Sequence, residues 1–146
     1  MENVKADPWK NLGAWLFIVF GAVIGLASIP ATSGPALFLI DLVLWPIDGG
    51  QVVTPEMRIM SAVLGGVMLG FGTALLVLVA KAYPRDPELV RTVTLAGAWV
   101  WFAADSVGSV AAGAPANVLL NIGFLAAFVV PWRSVPVTAE LAASRS

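Results

Sequence analysis

Four apolar stretches dominate this chain, and nearly all of its basic residues fall on one side of them. The first runs from Leu12 to about Ile29, the second from Met57 to Ala80, the third from Val90 to Ala112 and the fourth from Ala116 to about Val130. A helix that crosses a bilayer needs about 20 predominantly apolar residues, because each residue advances only about 1.5 Å through a hydrocarbon layer of about 30 Å. The first three stretches meet that length. The fourth is short even when Pro131 is added, so local thinning of the bilayer or a sheltered position is expected for it. The resulting expectation is a single all-α transmembrane domain over residues 1–146, an integral membrane four-helix bundle with spans near 12–30, 57–80, 90–112 and 116–131.

Composition agrees with that reading. The 146 residues are 59% apolar and 12% charged, against about 25% charged in a typical soluble domain. The net charge is -1 and the basic residues do not cluster, so a nucleic-acid partner is not expected. The chain has no cysteine and no histidine. That removes disulfides, thiol chemistry, haem ligation by histidine and the usual zinc and iron sites, so no metal and no cofactor is expected.

Prolines and glycines punctuate the stretches where a multi-pass topology needs breaks. Pro30, Gly34 and Pro35 close the first, Pro84 and Pro87 separate the second from the third, Gly113 and Pro115 mark a tight turn before the fourth, and Pro131 and Pro136 end it. Proline lacks an amide donor and disfavours a helical residue before it. Between the first two spans lies Ala36–Trp45, apolar but too short to cross, expected to form an interfacial or re-entrant helix with Trp45 at headgroup level. The tail after Trp132, with Pro136 and small polar residues, is expected to be solvated.

Orientation follows from the basic residues. Lys5 and Lys10 precede the first span, Lys81, Arg85 and Arg91 surround the second connection, and Arg133 and Arg145 follow the fourth span, leaving Arg58 alone on the other side. Positive residues stay in the cytoplasm, so both termini are expected there. In a bacterium the other loops would face the periplasm. Ala31 and Ser33 offer a rival reading, a signal peptide cleaved after the first run; that run is long for a signal core, and Glu2 and Asp7 dilute its positive start, so a retained helix is expected.

Small residues recur at helical spacing. Ala14, Gly21, Gly25 and Ser28 share a stripe on the first span. Arg58, Ser61, Ala62, Gly65 and Gly72 do so on the second, opposite Val63, Val67, Phe71 and Leu78. Thr94, Ala98, Asp105, Ser109 and Ala112 share a face of the third, opposite Val100, Ala103, Val107 and Val110, and Asn117, Asn121, Phe124 and Phe128 align on the fourth. In lipid, helices associate by close packing and polar contacts, so the small stripes are expected to face inward. Gly21–Gly25 and Gly66–Gly70 fit the small-xxx-small spacing, which serves packing within one bundle or dimerisation.

One residue is costly. Asp105 lies seven residues before Ala112, about 10 Å below the outer turn, where an ionised side chain needs a partner, water or a proton. The hairpin brings Asn121 to a similar depth, and Arg58 enters from the same end. An outward-facing polar cluster of Asp105, Arg58, Asn121, Asn117, Ser109 and Ser61 is therefore expected, with Asp41, Asp48 and Glu56 on its rim; the cytoplasmic half has no ionisable group of its own. Either Asp105 pairs with Arg58 or with amides and fixes helix docking, or it lacks a cationic partner and exchanges a proton or holds a ligand cation. Trp101 and Phe102, with Trp99 nearby, could wall a quinone, pigment or cationic compound, although aromatics in such helices more often pack or anchor at the interface.

The run from Trp101 to Ser109, the Asn117–Asn121 stretch and the spacing of Arg58, Ala62, Gly65 and Gly66 resemble small four-helix bacterial inner-membrane proteins of unknown function, DoxX-like in general shape. The resemblance covers about the last two-thirds of the chain and implies the four-helix fold. Some members of that group are linked to thiol or quinone redox chemistry; this chain has no cysteine for the former. No nucleophile and base pair with a histidine exists, so an enzyme is not expected. The expected function is a non-enzymatic accessory, assembly or scaffolding subunit of a membrane complex, with a protein partner or a homo-oligomer in the bilayer. The alternative is a small proton-linked transporter or lipophilic-ligand binder using Asp105, without the second acid or broken helix pair of many carriers. Compartment-sensitive reporters fused to the two ends should both signal the cytoplasm; a split result would overturn the topology.

Overall fold

A computed structural model describes residues 7–133. The tail beyond Arg133 lies outside the described residues, as do Lys5 and Arg145. Among the described residues every regular element is helical. A 3-10 turn, Pro8–Asn11, leads into α1, Leu12–Leu26. The short α2 is Gly34–Leu44, α3 is Pro55–Ala82, α4 is Pro87–Ala111 and α5 is Asn117–Val129, continued by a 3-10 turn Val130–Trp132. Three segments, Pro8–Leu26, Pro55–Ala82 and Pro87–Ala111, are long and apolar enough to cross a membrane, while Gly34–Leu44 and Asn117–Trp132 are shorter apolar helices.

Local chemistry explains the boundaries. Thr54 caps α3, its hydroxyl accepting from Met57 N at 3.3 Å, and Asp86 caps α4, its carboxylate accepting from Leu89 N at 2.9 Å. Pro55 and Pro87 sit in the first turns, where no amide donor is needed, and acidic Glu56 and Glu88 follow them at the positive ends of the helix dipoles. Pro87 therefore starts α4 rather than merely separating two spans. The α4–α5 turn is a Schellman closure. Gly113 adopts φ +80°, its amide meets Val110 O at 3.1 Å and the Ala114 amide meets Ser109 O at 2.9 Å.

The first span is shorter than its apolar run suggested. Helix α1 stops at Leu26, where the Ser28 hydroxyl takes Gly25 O at 2.7 Å and Ile29 is extended at φ -101°, ψ 122° ahead of Pro30. The residue before a proline avoids the helical region, which ends the run early.

Helices α1 and α3 approach through glycine. A Cβ built on Gly65 would fall 2.5 Å from Gly25 Cα and 2.7 Å from Gly21 O, one on Gly21 would fall 2.9 Å from Leu69 N, and one on Gly72 would fall 2.7 Å from Ala14 O. The two backbones touch where these side chains are missing. Gly66 and Gly70 lie on the opposite, open side of α3 with nothing near them. The Gly21–Gly25 spacing thus serves packing within the chain, and the Gly66–Gly70 spacing does not. Outward-facing Val63, Val67, Val100, Val107 and Val110 are exposed, as their stripes imply.

Close approach at one end places one aromatic ring at the centre. Phe17 of α1 is 3% exposed and lies 5.4 Å from Phe71 of α3, 4.9 Å from Trp101 of α4, and 6.0 and 5.2 Å from Phe124 and Phe128 of α5, centroid to centroid. One side chain of α1 therefore meets rings from α3, α4 and α5, mostly edge to face, the arrangement that a ring quadrupole favours. Phe71, expected to point outward, is half-buried instead and packs over Gly97 of α4, where the missing side chain leaves room. Leu78 likewise packs against buried side chains rather than facing away. Helix α3 touches both α1 and α4, so its inward arc is wider than a single stripe.

A Gly65→Ala variant should lose about 1–3 kcal/mol of stability through overpacking, read as a lower thermal midpoint in detergent by tryptophan fluorescence. Gly66→Ala, whose Cβ would enter open space, should hold or raise the midpoint.

Candidate functional site: an apolar cavity with a carboxylate in its wall

The two ends of the helix cluster differ. At the end holding the N-terminus of α1, Val79, Tyr83, Val90 and Trp132 form a second buried cluster. Lys10 lies over the Trp132 ring with its ammonium 4.9 Å from the centroid, and donates to Pro131 O at 2.9 Å. Arg91 Nε donates to Trp132 O at 3.1 Å and its Nη1 pairs with Glu88 at 3.1 Å. These cations satisfy carbonyls that the last turn leaves without an intrahelical donor. That half was expected to lack ionisable groups; Lys10 reaches into it because its long stem runs along the Tyr83 and Trp132 rings.

Toward the C-terminus of α1 lies a cavity of about 560 Å³, a size typical of sites for small lipophilic molecules. Phe20 and Ile24 of α1 and Leu64 and Met68 of α3 form one side. Trp101, Ala104 and Asp105 of α4 face them. Asn117, Leu120, Asn121 and Phe124 of α5 complete the wall. Helix α2 lies across it with Leu39, Ile40, Val43 and Leu44. Those four occupy one face of α2 at positions one and four apart, so the short helix covers the cavity rather than spanning anything. It is tethered by Asp41, 5% exposed, whose Oδ2 accepts from Gly49 N at 3.0 Å. Asp48 likewise accepts from Gly50 N at 2.8 Å, so two of the expected rim acids organise the α2–α3 loop, and Glu56 is exposed in the first turn of α3.

The polar cluster is assembled in part. Ser109 Oγ donates to Asp105 Oδ1 at 3.4 Å, Asn117 Nδ2 donates to Ser109 Oγ at 2.9 Å, and Asn121 Nδ2 donates to Ser106 Oγ at 3.3 Å. Asn121 is 3% exposed and Ser109 9%. These bonds tie α5 to α4 across the Gly113 turn. Arg58 does not join them. Its Nη1 donates to Ala27 O at 2.9 Å, capping the C-terminus of α1, where an orphan carbonyl and the negative end of the dipole attract a cation. The Arg58–Asp105 pair, one of the alternatives open for Asp105, is not formed; Arg58 caps a helix instead. Ser61 makes no hydrogen bond to the cluster among the described residues. Trp101 lines the cavity, whereas Phe102 does not; it stacks edge-on against exposed Trp99 at 6.0 Å.

Sequence reasoning missed the central Phe17, the cavity residues Phe20 and Ile24, and the covering role of α2. The spacing of Leu39, Ile40, Val43 and Leu44 carried a signal for the last. Phe17 and Phe20 carried none, because an all-apolar helix gives no amphipathic contrast. Comparison of the chain with protein families, characterised proteins and solved structures finds no match.

A double-mutant cycle of Arg58→Met and Asp105→Asn, read as thermal midpoints, should be additive within about 0.5 kcal/mol, because the two side chains share no contact.

Proposed function

We propose that this chain is a non-enzymatic, multi-pass membrane protein that binds a lipophilic molecule in the cavity beneath α2. The observation that carries the proposal is the cavity itself, about 560 Å³, apolar on every side except where Asp105, Asn117 and Asn121 meet. Apolar walls with a few convergent polar groups orient an amphiphile, the apolar part providing affinity and the polar part fixing register. Its four long elements then form a transmembrane four-helix bundle with α2 as an interfacial cover. The basic residues around α1, the α3–α4 connection and Arg133 put that end in the cytoplasm, so the cavity lies in the outer half of a bacterial inner membrane. The DoxX-like resemblance is compatible with this shape.

A second reading rests on a separate observation. Ala62, Gly66 and Gly70 form an outward small-residue stripe on α3, which suits an accessory or assembly subunit docked against a neighbouring helix or against a second copy. The two readings are compatible, since a partner on that face leaves the cavity untouched.

The first reading is tested with purified protein in lipid nanodiscs and a neutral solvatochromic dye. One dye per chain should bind with a blue-shifted emission, and Ala104→Trp, which fills the cavity from α4, should abolish the saturable component while preserving the thermal midpoint. Absence of saturable binding in the unaltered protein would overturn the proposal.

A further inference from the structure

The polar corner of the cavity is made of acceptors. Asp105 is a carboxylate whose Oδ1 receives only the Ser109 hydroxyl, at 3.4 Å, a distance at which a hydroxyl bond is weak. No ion pair reaches Asp105 among the described residues. Arg58, the one basic residue of that end, is occupied by Ala27 O. Asn117 and Asn121 turn their amide nitrogens toward Ser109 and Ser106. Their carbonyl oxygens are the opposite branch of each amide, and no donor within the described residues satisfies them. Asp105, Asn117 and Asn121 thus line one corner of the cavity with no cation among the lining residues. Around them stand the rings of Phe20, Trp101 and Phe124, whose faces attract positive charge.

We propose that the cavity takes the ammonium head of a lipophilic amine, with Asp105 as its counter-charge and the Asn117 and Asn121 carbonyls as further acceptors. The inference rests on the cavity being a ligand site and adds the chemical class of the head group. An ammonium supplies N–H donors to every acceptor present and neutralises the one uncompensated charge. A carboxylate, a phosphate or a quinone carbonyl would bring further acceptors to a corner that has few donors to give, and an anion would also face Asp105. The alkyl part lies along the Leu39, Ile40 and Val43 face of α2 and the Leu64 and Met68 side of α3.

The experiment is competition against the bound neutral dye by three ten-carbon compounds: decylamine at a pH where it is protonated, decanol and decanoate. Decylammonium should displace the dye about tenfold or more better than decanol, the scale of one charge-assisted hydrogen bond, and decanoate should be the weakest. Asp105→Asn, nearly isosteric, should bring decylammonium and decanol together while the thermal midpoint stays as it was; Asp105→Glu should retain the preference. Discs with and without phosphatidylethanolamine separate the two sources of an ammonium. Competition by that lipid identifies a headgroup, and its absence a free amine. If the dye binds but decylammonium and decanol compete equally in the unaltered protein, or if Asp105→Asn leaves the preference intact, the head-group assignment is wrong although the cavity still binds ligands. If the dye itself does not bind saturably, the cavity reading fails and this inference with it.

Discussion

Everything in this structure depends on the backbone contact between α1 and α3. If a bilayer surrounds these helices, as proposed, its tails are as apolar as leucine, so apolar side chains alone give two helices little reason to prefer each other over lipid. Contact then relies on dispersion between closely fitted surfaces, which is short-ranged and lost with a gap of an ångström or less. Gly21, Gly25, Gly65 and Gly72 remove the side chains that would hold the backbones apart. Once α1 lies that close to α3, Phe17 sits where rings from α3, α4 and α5 all reach it. The glycines set the distance and the aromatic ring joins the remaining helices to the pair.

That contact also makes the two ends unequal. Toward the N-terminus of α1, large rings fill the space, and Lys10 and Arg91 close the last carbonyls of the α5 extension. Toward the other end the rings of Phe20, Trp101 and Phe124 stand beside small or polar Ala104, Asp105, Asn117 and Asn121. These smaller side chains leave space on the α4 and α5 side. The result is a cavity, and α2 lies over it because its apolar face has no length to span a membrane and an apolar wall to cover.

Polar groups within this structure are used locally wherever a backbone partner exists. Arg58 caps α1, Asp41 and Asp48 hold the α2–α3 loop, and Asp86 and Thr54 start helices. Backbone termini are fixed, orphaned and near in sequence or space, so they take side chains that a reading of depth alone would pair with one another. Asp105 differs from these. It sits in the body of α4, where the backbone amides are already bonded, and its hydroxyl neighbour Ser109 is shared with Asn117. That is why it faces the cavity without a cation.

The amino-acid order alone determined the helical class, the three long apolar segments and the positions of the breaks, because each of these follows from local length or from proline and glycine chemistry. Only the tertiary structure decided that Arg58 belongs to Ala27, that Phe71 turns inward over Gly97, that Phe17 is central and that α2 covers a cavity. Those outcomes depend on which helices are neighbours and how closely they approach. That choice is made by surface fit between segments far apart in the chain, and hydrophobic contrast along a single helix does not record it.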